Sequence, residues 1–391
     1  MNPTTAPAPS AAHRKIAFLV PAGEVVNHDR VISYESRDKT RIIDARLNIG
    51  DTFVFESSLR LVRFEELRCF STYSGNVDDA VSQMNECDVA ILRGSNYINP
   101  HMDWGNLPEI LERSRIPVVA FGVGAQAPRY EPVTVNKKSA RFLATIAERS
   151  HSIGCRGKFT ASVLYDLGIK NVTAIGCPSL FRSNDPNIRI AWPPPDVKKV
   201  GFTTTRGFSP GYCANTSLAT SCQLAILEGL IDRHQVFVLS QGEVAEKIFY
   251  YRAYDRMESA RQSMADTGWD LEKLQWLENL YWKGMFFGTS PLDYEKMVKQ
   301  CDLVMGFRLH GNLMALSLGI PAIYVTYDSR TREIVDQFSI PHHDILSEKA
   351  FSLEESMDEG IFDGFNDNFA QNYAVIRDFL ANNGISHRML G

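Results

Sequence analysis

The chain has 391 residues, more than one ordinary hydrophobic core requires and enough for two domains. Its 44% hydrophobic and 22% charged residues are typical of a globular protein. A net charge of −5 argues against a nucleic-acid partner held by an overall positive field, although a few arginines can still create a local site for an anion. No stretch reaches the roughly 20 apolar residues of a transmembrane helix, which leaves only peripheral contact with a membrane open.

The beginning of the chain predicts a disordered leader over residues 1–13, because it is rich in Pro, Ala, Thr and Ser. It lacks the apolar stretch of about 7–15 residues that a secretory signal needs. The seven cysteines are scattered and form no CxxC pair, so we expect reduced thiols and no metal site. Together these features predict a cytoplasmic location.

Residues 14–190 alternate short apolar runs with amphipathic stretches of helical length, which is typical of a parallel sheet covered by helices. The strand-like runs are 15–20, 88–92, 117–122 and 172–175. The stretches with apolar residues at helical spacing are 51–63, 77–86, 136–150 and 159–167. We therefore predict an N-terminal Rossmann-like domain over residues 14–190.

A proline-rich stretch over residues 191–198 predicts a stiff linker, because three consecutive prolines fit neither a helix interior nor a central strand. The alternation then resumes, with a helical stretch over 243–282 and strand-like runs at 199–204, 236–239, 303–307 and 322–326. We predict a second Rossmann-like domain over 199–345 and a C-terminal extension over 346–391, whose helix at 368–382 returns to the first domain. The predicted fold class is α/β, with two domains that face each other across a cleft.

The segment 301–328, CDLVMGFRLHGNLMALSLGIPAIYVTYD, contains two strand-like runs separated by a helix-like stretch at 311–318. Arg308, His310 and Gly311 lie between the first strand and the helix, where free backbone N–H groups and the helix dipole favour an anion. Arg308 has a forked guanidinium that suits a carboxylate or phosphate, His310 titrates near neutral pH, and Gly311 leaves room for a ligand to approach the backbone. The pattern is also compatible with a capping cluster that binds no ligand.

Several blocks of the sequence resemble the polysaccharide pyruvyl transferase family. GFRLHGNLMALSLGIPAIYVTYDSR (306–330) is similar to the C-terminal signature of that family. The other blocks are NIGD (48–51), DVAILRGSNYI (88–98), FGVG (121–124) and CRGKFTASVLYDLGIKNVTAIGCPSL (155–180). Two departures are Gly157, where the family usually has Asp, and the 94–96 loop, which is less glycine-rich than usual. Together the blocks cover most of residues 48–340.

The resemblance implies a GT-B-like scaffold and an enzyme that transfers the carbon skeleton of phosphoenolpyruvate to a sugar as a pyruvate ketal, without a cofactor. It also implies that the second domain holds the donor. The predicted donor-binding residues are Arg206, Arg308, Leu309, His310, Gly311 and Arg330, and His310 and Arg308 are also the predicted catalytic residues. The position of Arg206 is equally compatible with a surface arginine that binds no ligand, and the position of Arg330 is compatible with the mere start of the next helix.

By the same resemblance, the first domain faces the acceptor, which is a sugar of a polysaccharide or of its precursor. A lipid-linked acceptor is compatible with the sequence. The predicted acceptor-binding residues lie at strand ends or turns: Asn48, Asp51, Ser95, Asn96 and Gln126. Each is also a common turn or capping residue.

Three other functions stay open or are disfavoured by the sequence. A glycosyltransferase of the same scaffold could place the phosphates of a nucleotide sugar at the same helix N-terminus. A sugar- or anion-binding protein without turnover would keep the same fold. A Rossmann dehydrogenase is poorly supported, because GVGAQA (122–127) lacks the third glycine or alanine of the dinucleotide fingerprint.

Overall fold

The structure, a computed structural model, describes residues 12–34, 38–192, 196–205, 207–269, 271–347 and 349–391. Within them the chain forms two six-stranded parallel sheets with helices on their faces and one small antiparallel hairpin. This confirms the predicted α/β class with two Rossmann-like domains. Residues 1–11 of the predicted leader and the prolines at 193–195 lie outside the described residues. His13, the last residue assigned to the leader, is the first residue of strand β1.

The first sheet has the strand order β4-β1-β5-β6-β7-β8. Its strands are β1 (His13–Leu19), β4 (Phe64–Phe70), β5 (Val89–Arg93), β6 (Val118–Val123), β7 (Ile153–Cys155) and β8 (Val172–Ala174). The hairpin of β2 (Glu24–Asn27) and β3 (Arg30–Ile32) lies outside this sheet. All its strands are parallel, and β4 and β5 are added on opposite sides of β1. The resulting switch point between β1 and β5 is where doubly wound sheets bind ligands.

The second sheet has the order β11-β10-β9-β12-β13-β14. Its strands are β9 (Lys199–Thr203), β10 (Gln235–Leu239), β11 (Met285–Phe286), β12 (Leu303–Gly306), β13 (Ala322–Thr326) and β14 (His342–Asp344). Numbered within this sheet the order is that of a Rossmann fold, with its switch point between β9 and β12. The predicted site segment therefore begins at the place where this fold binds ligands.

The helices predicted at 51–63, 77–86, 136–150 and 159–167 occur close to those positions, and the structure has others that were not predicted. In the first half the helices are α1 (Lys39–Asp44), α2 (Ile49–Leu61), α3 (Val77–Asn85), α4 (Leu107–Arg113), α5 (Lys137–Arg149) and α6 (Lys158–Asp166). In the second half they are α7 (Thr216–Ile231), α8 (Val244–Tyr251), α9 (Met257–Ala265), α10 (Leu271–Gly284), α11 (Pro291–Val298), α12 (Leu309–Leu316), α13 (Ser329–Phe338) and α14 (Asp363–Asn382). Short 3-10 turns lie at 178–181, 254–256 and 355–357.

The stretch 243–282 is largely helical as predicted, and it consists of three helices, the first of which, α8, ends at Arg252 in a left-handed conformation (φ 52°). One predicted helical segment differs from the structure. Helix α12 begins at Leu309, earlier than predicted, because Arg308 is extended and its N–H donates to Thr203 Oγ1 at 3.2 Å. His310 therefore lies in the first turn of α12 and not in the preceding loop. Among the described residues, no helix has the length and apolar character needed to cross a bilayer.

The C-terminal segment packs against the first half of the chain. Phe379 of α14 stacks on Phe121 of β6, with ring centroids 6.4 Å apart. Beyond the helix, Arg63 donates its N–H to the carbonyl of Ser386 at 2.8 Å. Helix α14 also contacts α13 of the second half, where Gln337 bonds Asn372 at 3.5 Å. It thus crosses the boundary between the two halves.

Helix α2 of the first half is buried almost along its whole length because it packs into the second half. Phe53 meets Tyr294 of α11 edge-on at 4.9 Å. The N–H of Ile49 donates to the carbonyl of Gln241, which follows β10, at 3.1 Å. The start of α2 is therefore fixed against the carboxyl edge of the second sheet.

Candidate functional site

The site lies along the seam where the carboxyl ends of the two sheets face each other. From the second half it receives the start of α12, after β12, and the start of α13, after β13. From the first half it receives the start of α2 and the ends of β5, β6 and β7. Several of these positions carry polar side chains, and Gln126 and Asp328 among them bond each other across the seam.

His310 is buried at the centre of this seam. A Cβ placed on Gly50 would lie 2.9 Å from His310 Nδ1, so glycine at the start of α2 lets the imidazole pack against the other half. His310 Nε2 has no hydrogen-bond partner among the described residues. Burial lowers the pKa of His310 well below its ordinary value, and Arg156 lowers it further, so the imidazole is neutral here.

Arg156 and Arg330 lie on opposite sides of the seam and are linked by a chain of hydrogen bonds. Arg156 Nη1 donates to Asn96 Oδ1, whose amide nitrogen donates to Gln126 Oε1 at 3.1 Å. Gln126 Nε2 donates to Asp328 Oδ2 at 3.2 Å, and Asp328 forms an ion pair with Arg330 at 3.3 Å. Two predicted acceptor residues, Asn96 and Gln126, are thus the bridge between two arginines.

Both arginines keep unused hydrogen-bonding capacity. Arg156 is 1% exposed, its Nε has no partner among the described residues, and it belongs to no ion pair among them. Burial lowers the pKa of Arg156, and this effect outweighs the neighbouring Cys177, Glu333 and Asp51, which act to raise that pKa. Arg330 Nε also has no described partner, although Arg330 donates to Tyr327 Oη at 2.5 Å. Burial acts to lower the pKa of Arg330, but Asp328 outweighs burial and holds that pKa above its ordinary value.

Arg308 is engaged by protein groups in this structure. Its Nε donates to the carbonyl of Thr204 at 2.9 Å, and its Nη2 forms an ion pair with Glu243. Burial acts to lower the pKa of Arg308, but Glu243 and Glu246 outweigh it and raise that pKa. The charge of Arg308 is therefore already matched by carboxylates of its own domain.

Glu246 lies behind this ion pair and is fully buried. Its carboxylate accepts hydrogen bonds from Thr204 and Ser240. Burial and the neighbouring Glu243 raise the pKa of Glu246 to about 7. The second half therefore holds a carboxyl group that exchanges its proton near neutral pH.

Asp51 and Arg93 complete the first-domain side of the site. Arg93, the last residue of β5, donates from Nη1 to Asp51 Oδ1 at 2.7 Å and from Nε to the carbonyl of Val20 at 2.8 Å. Burial acts to raise the pKa of Asp51, but Arg93 lowers that pKa below its ordinary value and keeps the carboxylate ionised. Asp51 is a close negative neighbour of His310 and acts to raise the pKa of that imidazole.

This arrangement of charges suits a compact, multiply charged anion. Arg156 and Arg330 each keep an unpaired guanidinium Nε, and both act on the pKa of His310, so cations from both halves lie near the imidazole. Buried donors without partners are costly, so a bound anion would stabilise them. Within the described ranges, no group of three or more His, Cys, Asp or Glu side chains is placed to hold a metal ion.

The sequence matches the family described as polysaccharide pyruvyl transferase over residues 22–329, most of the chain. The chain belongs to the polysaccharide pyruvyl transferase family. Its residues Arg156, His310 and the NIGD turn all lie within the matched region. The family identifies the protein as a transferase that acts on polysaccharide. No curated protein sequence matches this chain.

Solved structures of sugar-modifying enzymes resemble this pyruvyl transferase family member at low sequence identity. They include a putative UDP-N-acetylglucosamine 2-epimerase from Listeria monocytogenes, at 10% identity, 93% coverage of this chain, 95% of that chain and a TM-score of 0.44. The UDP-GlcNAc 2-epimerase of Methanocaldococcus jannaschii has 10% identity, 93% and 99% coverage and a TM-score of 0.43. A Rickettsia africae glycosyltransferase has 12% identity, 95% and 94% coverage and a TM-score of 0.40.

The structure of this family member brings His310 and Arg330 together, whereas other predicted donor residues have different surroundings. Gly311 does not leave room for a ligand: a Cβ there would meet Gln241 Nε2 at 2.7 Å and Thr203 Cγ2 at 2.8 Å. The absence of a side chain instead allows close packing within the second domain. Leu309 is buried, and its carbonyl accepts a hydrogen bond from Tyr324 Oη at 2.7 Å. Arg206 lies outside the described residues.

The predicted acceptor residues all lie at the carboxyl edge of the first sheet, but most of their polar groups bond protein atoms. Asn48 caps α2 by accepting from Gly50 N–H at 2.9 Å. The carbonyl of Ser95 accepts from Gly124 N–H at 2.8 Å. All five predicted acceptor residues, Asn48, Asp51, Ser95, Asn96 and Gln126, are half-buried. Burial therefore does not separate those that contact an acceptor from those that do not.

Sequence reasoning missed Arg156, Arg93 and Gly50. Arg156 follows β7, a strand of only three residues that gives little periodic signal. Arg156 is the second residue of the block 155–180 that resembles the family, and an arginine at this position was the available signal. Arg93 directly follows the predicted strand at 88–92, and Gly50 belongs to the NIGD turn.

Proposed function

We propose that this family member transfers the three-carbon unit of phosphoenolpyruvate to two hydroxyls of a sugar, forming a pyruvate ketal and releasing phosphate. The observation that carries the proposal is the convergence of Arg156, Arg330 and His310 with unused donors in one buried seam. Phosphoenolpyruvate has a carboxylate and a phosphate, so it needs several cations. Two guanidinium groups and an imidazole match that requirement.

The reaction needs one proton on the methylene carbon of the donor. Protonation makes C2 electrophilic, a first sugar hydroxyl adds there, and a second hydroxyl displaces phosphate and closes the ketal. Of the two hydroxyl protons, one replaces the proton given to the methylene group and the other leaves with phosphate. The cations stabilise the departing phosphate without a metal being required.

His310 is the group proposed to move this proton. It is neutral in this structure, because burial and the arginines disfavour its charged form. A dianionic donor close by reverses that balance and favours the imidazolium. His310 would then be charged only when the donor is bound, as a general acid requires. Asp51, next to it, supports the same charged form.

Arg308 is proposed as a flanking cation that helps to hold the donor. Its pairing with Glu243 means that donor binding would have to share or displace that carboxylate. The acceptor is proposed to approach Asp51, Asn96 and Gln126 from the solvent side. Cytoplasmic location and a lipid-linked acceptor stay predictions from the sequence.

The test is incubation of the enzyme with phosphoenolpyruvate and a panel of sugar acceptors. Phosphate release and a product heavier by the three-carbon acid, detected by mass spectrometry, are the expected results. Thermal shifts with nucleotide sugars provide the comparison with a glycosyltransferase. A shift with nucleotide sugars and none with phosphoenolpyruvate would reject the proposal.

A His310→Ala variant tests the role of the imidazole. We expect the turnover rate to fall by about 100-fold or more, because a general acid contributes on that order. Donor affinity should fall less, since both arginines remain. Single-turnover rates and donor titrations measure the two quantities separately. An unchanged rate would remove His310 from the proton transfer.

A further inference from the structure

A groove with a volume of about 760 Å³ opens on the seam, next to the donor cluster. Its walls come from both halves: residues of the loop after β6 and of α6 on one side, and residues of α13 and α14 on the other. This volume is within the range of about 300–1,000 Å³ that ligand sites usually have. Nothing in the reaction proposed above uses this groove.

An aromatic platform lies in the groove. The ring of Tyr130 stacks on Phe159 with centroids 4.8 Å apart and an interplanar angle of 21°. Tyr130 is 49% exposed, so its outer face is available. Its hydroxyl donates to Asp336 Oδ2 at 2.9 Å, which fixes the ring across the seam. A fixed, exposed aromatic face surrounded by polar side chains suits the apolar face of a sugar ring.

The charge of the groove limits the kind of sugar. Its lining includes four carboxylates, of Glu131, Asp166, Glu333 and Asp336, and one ammonium, of Lys158. Asp336 is also paired with Arg332 of its own helix at 3.0 Å. Burial raises the pKa of Glu333 to about 7, so this carboxyl group is partly neutral. The remaining negative charge disfavours phosphates and uronic acids and leaves neutral sugars as the suitable ligand.

The groove is close to the donor cluster but separated from it by a wall. Glu333 lines the groove and lies one helical turn beyond Arg330 on α13. Its two carboxylate oxygens accept from the N–H and the hydroxyl of Thr160, at 2.6 and 2.7 Å. Ala127 and Ser329 form a further pair of hydrogen bonds across the seam. A ligand in the groove is therefore near the reacting centre without occupying it.

We propose that this groove binds neutral sugar units of the acceptor glycan that are remote from the sugar being modified. The proposal rests on the proposed function for its link to catalysis. Binding energy from remote units holds a polymeric acceptor in place at the reacting centre. The cavity of about 450 Å³ on the other flank of the cluster has no aromatic side chain in its described lining and does not offer this platform.

Calorimetric titration of the intact protein with neutral gluco- and galacto-oligosaccharides, without phosphoenolpyruvate, tests the groove. We expect Tyr130→Ala to weaken binding of a neutral oligosaccharide about tenfold, the size of losing one aromatic partner. Tyr130→Phe loses the hydrogen bond to Asp336 but keeps the ring stacked on Phe159, and it should retain most of the affinity. Tyr165→Ala is the matched control, because Tyr165 is 47% exposed on the same helix as Phe159 but does not line the groove.

Three results would overturn the proposal. They are the absence of binding of every neutral probe at millimolar concentration, equal affinities in the wild type and Tyr130→Ala, and tighter binding of uronic-acid oligosaccharides. Phosphate release is measured in parallel. If phosphoenolpyruvate is not the donor, the wild type releases no phosphate, yet the dependence of sugar binding on Tyr130 persists. The two proposals can therefore fail separately.

Discussion

Two buried arginines on the seam, Arg182 and Arg156, have opposite surroundings. Arg182 is 2% exposed and forms ion pairs with Glu56 at 2.8 Å and Glu295 at 2.7 Å. Arg156 is 1% exposed and belongs to no ion pair among the described residues. Both have an Nε without a described partner, so the two arginines differ in their ion pairs and not in their unpaired nitrogens. A buried cation without an ion pair is costly, and a bound anion would balance its charge.

Replacing Arg182 by methionine removes the ion pairs of the paired arginine and should have the largest effect on stability. It would leave the buried carboxylate of Glu56 short of a partner, so we expect a loss of about 3 kcal/mol in the free energy of unfolding. Denaturant unfolding measures this loss. Turnover per folded molecule should stay unchanged. Arg60→Met is the control, because Arg60 pairs with Glu56 from a more exposed position and should cost less.

Replacing Arg156 by glutamine removes the buried cation that has no ion pair among the described residues. We expect turnover to fall by about 100- to 1000-fold, the loss typical of removing one preorganised charge-stabilising donor. Stability should be unchanged or higher, because a buried cation without a close counter-charge is removed. Phosphate release and thermal unfolding, measured on the same preparations, give the two results. A variant as unstable as Arg182→Met with normal turnover would show that Arg156 is structural.

Two buried carboxyl groups of the second half extend the comparison of paired and unpaired groups to pH: Glu295, which pairs with Arg182, and Glu246, which lies behind Arg308. Burial acts to raise the pKa of Glu295, but Lys299 and Arg182 outweigh burial and lower that pKa to about 2. Its stabilising contribution is therefore present above pH 4.5, the ordinary value, and is lost as the pH falls towards 2. Glu246, raised to about 7 by burial and Glu243, shows the opposite sign. Its contribution is present below pH 4.5 and is lost as the pH rises through 7.

A Glu246→Gln variant measures this last and smallest effect. Relative to the variant, the wild type should lose about 1.5 kcal/mol of stability between about pH 5.5 and 7. Denaturant unfolding at a series of pH values checks the difference. Glu295→Gln serves as the counterpart, since its difference from the wild type should develop only below pH 4.5. Parallel curves for Glu246→Gln and the wild type would mean that Glu246 titrates normally.

The sequence predicted much of the fold because the strands and helices of a doubly wound sheet have strong periodic patterns. The runs at 199–204 and 322–326, for example, differ from β9 and β13 by at most one residue. The same patterns placed Arg308 and His310 at a strand end. They could not show that Gly311 packs against Gln241, since that contact depends on a side chain 70 residues away.

The remainder of the site could not be predicted because it is assembled from distant segments. His310 and Gly50 are 260 residues apart, and no local pattern relates them. Arg156 follows a three-residue strand, too short to be recognised by periodicity. Whether an arginine has a counter-charge depends on tertiary contacts, so Arg156 and Arg182 could not be told apart in the sequence. The resemblance to a family supplied the chemistry, and the structure supplied these neighbours.

Helix α14 has a mechanical consequence for the seam. Because it is docked on β6 of one half and on α13 of the other, it ties the two halves together. Helix α2 forms a second tie, where the N–H of Ile49 donates to the carbonyl of Gln241. A movement that separates the halves would therefore have to break the contacts of both helices.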